Sequence, residues 1–192
     1  MKKASIGFAF CGSYCTYDQV FPALKKTAEQ YETVLPIVSE HSAVTDTRFG
    51  TAKEQLQTIE SITNHHILKT IPEVEPIGPQ KLLDVLVIAP CTGNTIAKLA
   101  AAIADTSVTM AAKAHLRNGR PVVIAISTND GLSGNAQNIG ALLARKNIYF
   151  VPFRQDDPIG KPTSLVADMD LIPDAIDAAL RSQQLQPLLK VI

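Results

Sequence analysis

VLVIAPCTGNTIAK, residues 85–98, decides how this chain is read. The apolar run Val85–Ala89 stops at Pro90, small and polar residues follow, and a helical pattern begins near Thr95. A buried strand that turns at once into a helix leaves backbone N–H groups free at the turn, and such groups bind anions. Cys91, Thr92, Gly93, Asn94 and Thr95 add thiol, hydroxyl and amide groups there with little bulk. The stretch therefore predicts a phosphorylated ligand at this turn.

The same alternation runs outward in both directions. Ile6–Cys11, Thr33–Val38, Pro121–Ile126 and Ile148–Pro152 read as further strands, with Pro36 marking an edge or a bend. Helical patterns fill the intervals: from Thr16 or Asp18 to Gln30, Ala52–Thr63, Asn94–Ala104, Val108–Arg117, Ala136–Lys146 and Asp170–Gln183. Strands apolar on both faces, alternating with helices, predict an α/β fold. Its parallel sheet is doubly wound, with about five or six strands in a three-layer α/β/α stack. Residues 1–192 read as a single domain, in which Pro72, Pro76 and Pro79 stiffen a connection. Ligands in such folds sit beyond the carboxyl ends of the strands. That rule selects four turns: Gly12–Tyr14, Ser39–His41, Pro90–Thr95 and Ser127–Asp130.

Composition narrows the partners. The 192 residues carry 18 basic and 18 acidic side chains, so no strong field gathers nucleic acid or an anionic membrane surface. No apolar run is long enough to span a bilayer. The start, MKKASIGFAF, reads as a first core strand and not a signal peptide, which predicts a cytoplasmic protein. Three cysteines, Cys11, Cys15 and Cys91, fit a reducing compartment, and no further ligands at a usual spacing turn Cys11 and Cys15 into a metal site.

The first turn, Gly12-Ser13, is neither GxGxxG nor a Walker loop, which argues against a dinucleotide or a nucleoside triphosphate. It reads equally as a tight turn or as the holder of one phosphate. Ser39 either caps a turn or meets the ligand, and the Ser127-Thr128 turn offers hydroxyls at a strand end. Lys98 reads as one half of a surface ion pair, or as an aid to anion binding. Arg154, within Tyr149–Asp157, either grips a carboxylate or pairs with Asp156 or Asp157. Arg48 and Asp46 lie in a long polar loop, 39–51, of the kind that covers sites. His41 reads as solvated, His65 and His66 as helix-end residues, and His115 as part of a solvated basic helix face.

At these residues the chain resembles the homo-oligomeric flavin-containing cysteine decarboxylase family of flavoproteins. The Gly12-Ser13 turn is similar to that family's first flavin-binding turn. Ala89-Pro90-Cys91-Thr92-Gly93-Asn94-Thr95 resembles its Pro-Ala-Ser-Ala-Asn-Thr motif, continued by Ala97-Lys98 and Asp105. The resemblance covers roughly residues 4–152 and implies a Rossmann-like domain that binds FMN. It assigns Gly12, Ser13, Ser39, Cys91, Thr92, Gly93, Asn94, Thr95, Ser127 and Thr128 to the cofactor. Further segments, TDTRFG at 45–50, EPIGP at 75–79, STNDGL at 127–132 and VPFRQDD at 151–157, are similar to one branch of the family. That branch implies a subunit of an oxidoreductase acting on a small pyridine dicarboxylate during sporulation. It also implies NADP coupled through a companion A subunit, a homotrimer or higher assembly, and a mother-cell cytoplasmic location. Arg48, Asn129 and Arg154 become the candidates for the substrate's carboxylates, and no acid, base or nucleophile is assigned.

Two departures from the family stand out. The decarboxylating members carry a catalytic His in the loop after the second strand, where Asp46 stands here with His41 earlier. Their Pro-x-Met-Asn substrate motif is replaced by Ser127-Thr128-Asn129-Asp130. Decarboxylation or prenyl transfer is thus a remaining alternative, beside a non-catalytic subunit that organises its partner around a relic phosphate pocket.

Overall fold

The computed structural model describes residues 2–190. Five strands run parallel: β1 (Lys2–Phe10), β2 (Tyr31–Val38), β3 (Val85–Cys91), β4 (Val122–Thr128) and β5 (Ile148–Phe150), in the order β2-β1-β3-β4-β5. All seven residues of β3 are buried, as a central strand covered on both faces requires. Pro36 sits in β2, at the sheet's edge, where its missing N–H costs no ladder bond. The outer side of β2 is partly covered by residues 66–68, through Val38 N–H to Leu68 O at 2.9 Å and Leu68 N–H to Pro36 O at 3.0 Å.

The helices are α1 (Tyr17–Gln30), α2 (Ala52–Thr63), α3 (Ile71–Val74), α4 (Gly93–Ala100), α5 (Ser107–Leu116), α6 (Ala136–Leu143) and α7 (Ile172–Leu180). α1 and α7 pack together, α5 packs with α3 and α4, and α6 packs against α4 and β5. α2 spans the predicted residues, because Thr51 and Glu54 form a reciprocal capping box and Asn64 leaves the helix in the left-handed region. No helix of the described residues is long and apolar enough to cross a membrane.

Three sequence expectations need correction. The third strand does not stop at Pro90: it runs to Cys91, with a register shift against β4 between Ile88 and Cys91. The sheet is not purely parallel, because β6 (Phe153–Asp157) and β7 (Lys161–Ala167) form an antiparallel hairpin. β7 pairs with Ser127 and Thr128, so β5 and β7 share one edge of β4, the first along its start and the second along its end. The hairpin therefore stands at the ligand end of the sheet.

His115 is the third correction. It is 1 % exposed, and its Nε2 lies 3.0 Å from the Pro121 carbonyl. Burial pushes its imidazole down from 6.5 to about 4. The folded state thus holds His115 neutral, while the unfolded chain takes up its proton as pH falls below about 6.5. Its stabilisation is complete above pH 6.5 and is lost towards pH 4, on the order of 3 kcal/mol. Urea unfolding across this window should show that loss, and His115→Asn should flatten the difference between its two ends. An equal slope in the variant would show that other groups carry the acid sensitivity.

Candidate active-site cleft

A cleft of about 1120 Å³ opens beyond the carboxyl ends of β1, β3 and β4. One wall is Ser13, Thr92–Asn94 and Ser127–Asp130; the other is the β6–β7 hairpin, with Arg154, Asp156 and Lys161, and the residues that follow it to Asp170. Ser13 and Ser127 tie two of the turns together, their hydroxyl oxygens 2.7 Å apart. Thr16 donates to the Ser13 carbonyl at 2.8 Å and so closes the first turn.

The third turn is built around α4. Thr92 caps the helix by accepting from the Thr95 N–H at 3.3 Å, which leaves the Gly93 and Asn94 N–H groups as open donors among the described residues. A Cβ on Gly93 would lie 2.6 Å from Thr128 Oγ1, Asp130 Oδ1 and Asn135 Nδ2 alike. These atoms form a network: Thr128 donates to Asp130 at 2.5 Å and Asn135 donates to its other oxygen at 2.7 Å. Gly93 is therefore the residue that lets the turn after β4 close on the start of α4.

The predicted site residues divide by place. Ser13, Thr92, Gly93, Asn94, Ser127, Thr128, Asn129 and Arg154 all line this cleft. Cys91 and Thr95 are buried behind it: Thr95 Oγ1 donates to Cys11 Sγ at 3.3 Å, and the Cys91 side chain is fully in the core. Burial pushes the Cys11 thiol up to about 11 and the Cys91 thiol well above its ordinary range, so neither is a thiolate at neutral pH. The expected contact through the Cys91 thiol is thus corrected: only its backbone borders the turn. Gly12 and Ser39 stand beside the cleft, in a recess with Tyr14 and Ser42.

Arg48 is not in the cleft wall; it stacks on Phe49, 4.8 Å from the ring centre, in the exposed loop. Asp46 accepts from the Ala52 N–H at 2.8 Å and braces the start of α2, while His41 is exposed. Lys98 pairs with Asp105 at 2.9 Å on the surface.

Charge in the cleft is mostly spent internally. Asp156 holds Lys161 at 2.8 Å, Asp168 holds Lys190 at 2.5 Å and Asp170 holds Lys26 at 2.9 Å. Arg154 makes no ion pair with Asp156, Asp157 or any other described residue. It is the one lining cation left free among the described residues, so the carboxylate reading of Arg154 survives and the ion-pair reading does not. Sequence reasoning missed the far wall, Lys161 and Ser164–Asp170, although the turn Asp157-Pro158-Ile159-Gly160 marks a hairpin. No group of three or more His, Cys, Asp or Glu among the described residues is placed to hold a metal ion.

A parallel sheet whose cleft opens at the strand-to-helix turns is the ligand-binding frame of a doubly wound α/β protein. A family model described as Flavoprotein matches residues 1–178, and the chain belongs to that family. The B subunit of dipicolinate synthase from Bacillus subtilis (strain 168) is 49% identical over 189 residues, which span 98% of this chain and 94% of that protein. The crystal structure of the dipicolinate synthase B subunit from Bacillus halodurans superposes with a TM-score of 0.90 at 48% identity, over 98% of this chain and 96% of that one. The crystal structure of an FMN-dependent cysteine decarboxylase shares the fold, with a TM-score of 0.64 at 22% identity over 93% and 97% of the two chains.

Proposed function

We propose that this chain is the FMN-binding B subunit of a dipicolinate synthase and takes part in oxidising dihydrodipicolinate to dipicolinate during sporulation. The observation that carries the reading is the gathering, in one cleft, of open N–H groups on α4, the Ser13, Ser127 and Thr128 hydroxyls, and the free guanidinium of Arg154. The first two sets suit a phosphate and a polyol chain; the third suits a carboxylate. The similarity to the two Bacillus B subunits supports this choice of substrate.

The donor set fits the cofactor. Gly12, Ser13, Ser39 and Thr92–Thr95 would hold the phosphate and ribityl chain, and Ser127 and Thr128 would border the ribityl chain or the ring. Bound flavin supplies a two-electron acceptor for the dihydropyridine as it becomes aromatic. Arg154 and Asn129 would fix one substrate carboxylate in the cleft, whereas Arg48, stacked on Phe49 outside its wall, is not placed to hold the other. NADP would be coupled through the A subunit. The assembly would be a homotrimer or higher, in the mother-cell cytoplasm.

A second reading has an observation of its own. Every lining aspartate is already engaged: Asp156, Asp168 and Asp170 in ion pairs, Asp130 through both oxygens. That favours a non-catalytic subunit that organises the A subunit. Native purification with an absorbance scan, followed by FMN titration, tests the cofactor: saturable micromolar binding is expected, and its absence defeats the flavin assignment. Reconstitution with the A subunit and NADP separates the two readings. Full-rate dipicolinate formation by the A subunit alone would overturn the catalytic one.

A further inference from the structure

The β6–β7 hairpin does not pair evenly. Gln155 lies opposite Leu165 and Asp157 opposite Lys161, so three residues of β7, Pro162, Thr163 and Ser164, stand against one of β6, Asp156. A bulge of this kind leaves its residues out of the ladder and re-aims their side chains. The Gln155 side chain takes up the Pro162 carbonyl at 2.9 Å, and the next two residues bond to the turn after β4. Thr163 Oγ1 donates to the Asn129 carbonyl at 2.6 Å, the Thr163 carbonyl accepts from the Leu132 N–H at 2.9 Å, and Ser164 Oγ donates to the Thr128 carbonyl at 3.2 Å. Gly131 permits the approach, since a Cβ there would stand 2.7 Å from the Leu165 side chain.

These bonds act on the two groups proposed for the substrate carboxylate. Arg154 is carried on β6 and reaches β4 through one intervening strand: Arg154 pairs with Val166, and Val166 with Ser127. Two strand spacings, about 10 Å, thus separate its backbone from that of Ser127. β7 pairs with β4 at Ser127 and Thr128, a short ladder about which a hairpin could swing. The Thr163 bonds to Asn129 and Leu132 lie beyond that ladder and oppose the swing. Thr163 therefore joins the hairpin that carries Arg154 to the backbone that carries the Asn129 amide. A carboxylate gripped from two elements needs their separation held to within about 0.5 Å, and a misplacement of about 1 Å costs roughly a hundredfold.

We propose that Thr163 is a positioning residue for this clamp: its hydroxyl pins Asn129 to the hairpin and so sets the gap between the Asn129 amide and the Arg154 guanidinium. The inference rests on the carboxylate reading of those two residues and adds to it the device that presets them. The bulge is what frees Thr163 for the task. The hairpin is thereby a fixed wall of the cleft, ordered on folding and before any ligand arrives.

Thr163→Val tests this, because it removes the hydroxyl and keeps the shape. Pyridine-2,6-dicarboxylate is titrated by calorimetry against the wild-type chain and the variants with saturating FMN present, and FMN is titrated separately. Thr163→Val should weaken the dicarboxylate about tenfold and FMN less than about twofold, and Thr163→Ser should restore the dicarboxylate to within about twofold. Thr163→Ala carries the same expectation and serves if the valine variant does not fold. Arg154→Gln should weaken the dicarboxylate at least as much, and in that background Thr163→Val should cost less than about threefold, since no clamp is left to hold. Unchanged dicarboxylate affinity in Thr163→Val overturns the role of Thr163, and the carboxylate reading stands if Arg154→Gln still weakens binding. Equal losses for FMN and the dicarboxylate, or an undiminished loss in the Arg154→Gln background, show general loosening and also overturn it. If the wild-type chain does not bind the dicarboxylate, or Arg154→Gln binds it as well, the carboxylate reading and this inference fall together.

Discussion

Phe10→Ala is expected to lower the unfolding free energy by about 3–5 kcal/mol, a large share of what a domain of this size has in reserve. Phe10 is fully buried at the end of β1. Its ring centre is 5.3 Å from Phe8, 5.5 Å from Tyr17 in an edge-on arrangement and 6.2 Å from Phe21. Alanine would leave a cavity lined by three rings fixed on β1 and α1, elements too well packed to collapse into it. The consequence reaches the cleft, because Cys11, Gly12 and Ser13 follow directly, and Tyr17 donates to the Cys11 carbonyl at 3.0 Å. The first turn should loosen with the core, so FMN affinity should fall in the same variant. Urea unfolding followed by circular dichroism is the suitable measurement, since the chain has no tryptophan. Phe10→Leu keeps most of the volume and should cost clearly less. A loss under about 1 kcal/mol in Phe10→Ala would show that the aromatic cluster is not a keystone of this end of the sheet.

The parts of the molecule legible in the sequence are those where local pattern and tertiary burial agree. β3 and β4 are apolar on both faces and lie in the middle of the sheet; α2 carries its own capping box, and the start of α4 follows from the strand-to-helix turn itself. The β6–β7 hairpin was not legible because β6, Phe-Arg-Gln-Asp-Asp, buries only Phe153 and exposes most of the rest. Charge-rich strands of this kind exist because a neighbour, here the end of β4, offers hydrogen bonds that no window of sequence reports. His115 misled for the opposite reason. Lys113 and Arg117 drew attention to the solvated side, yet Val108, Ala111, Ala112 and His115 fall at i, i+3, i+4 and i+7, the spacing of a buried face. In the cleft, small polar residues at strand ends identified the near wall turn by turn. The freedom of Arg154 depends on which neighbours face it, and only the assembled structure decides that.

Gly93→Ala carries the other large effect, and it separates a demand of the site from a demand of the helix. In an ordinary helix glycine is the weaker residue, and alanine gains up to about 1 kcal/mol. At Gly93 the added methyl would meet three polar atoms at 2.6 Å, all held in the Thr128–Asp130–Asn135 network. Moving one of them breaks a hydrogen bond to a carboxylate, so the whole turn after β4 must retreat. The expected loss is about 1–3 kcal/mol of stability, the range for overpacking. Because Gly93 and Thr128 both line the cleft, FMN affinity should fall by roughly tenfold or more as well. Gly140 supplies the control: it lies within α6, and nothing stands within 4 Å of the position its Cβ would take. Gly140→Ala should therefore leave FMN binding unchanged and raise the unfolding free energy by up to about 1 kcal/mol. Two glycines that both lie in helices should thus respond to the same methyl with stability changes of opposite sign. If Gly93→Ala matched Gly140→Ala in stability and in FMN affinity, the close approach of α4 to the β4 turn would not be what shapes this cleft.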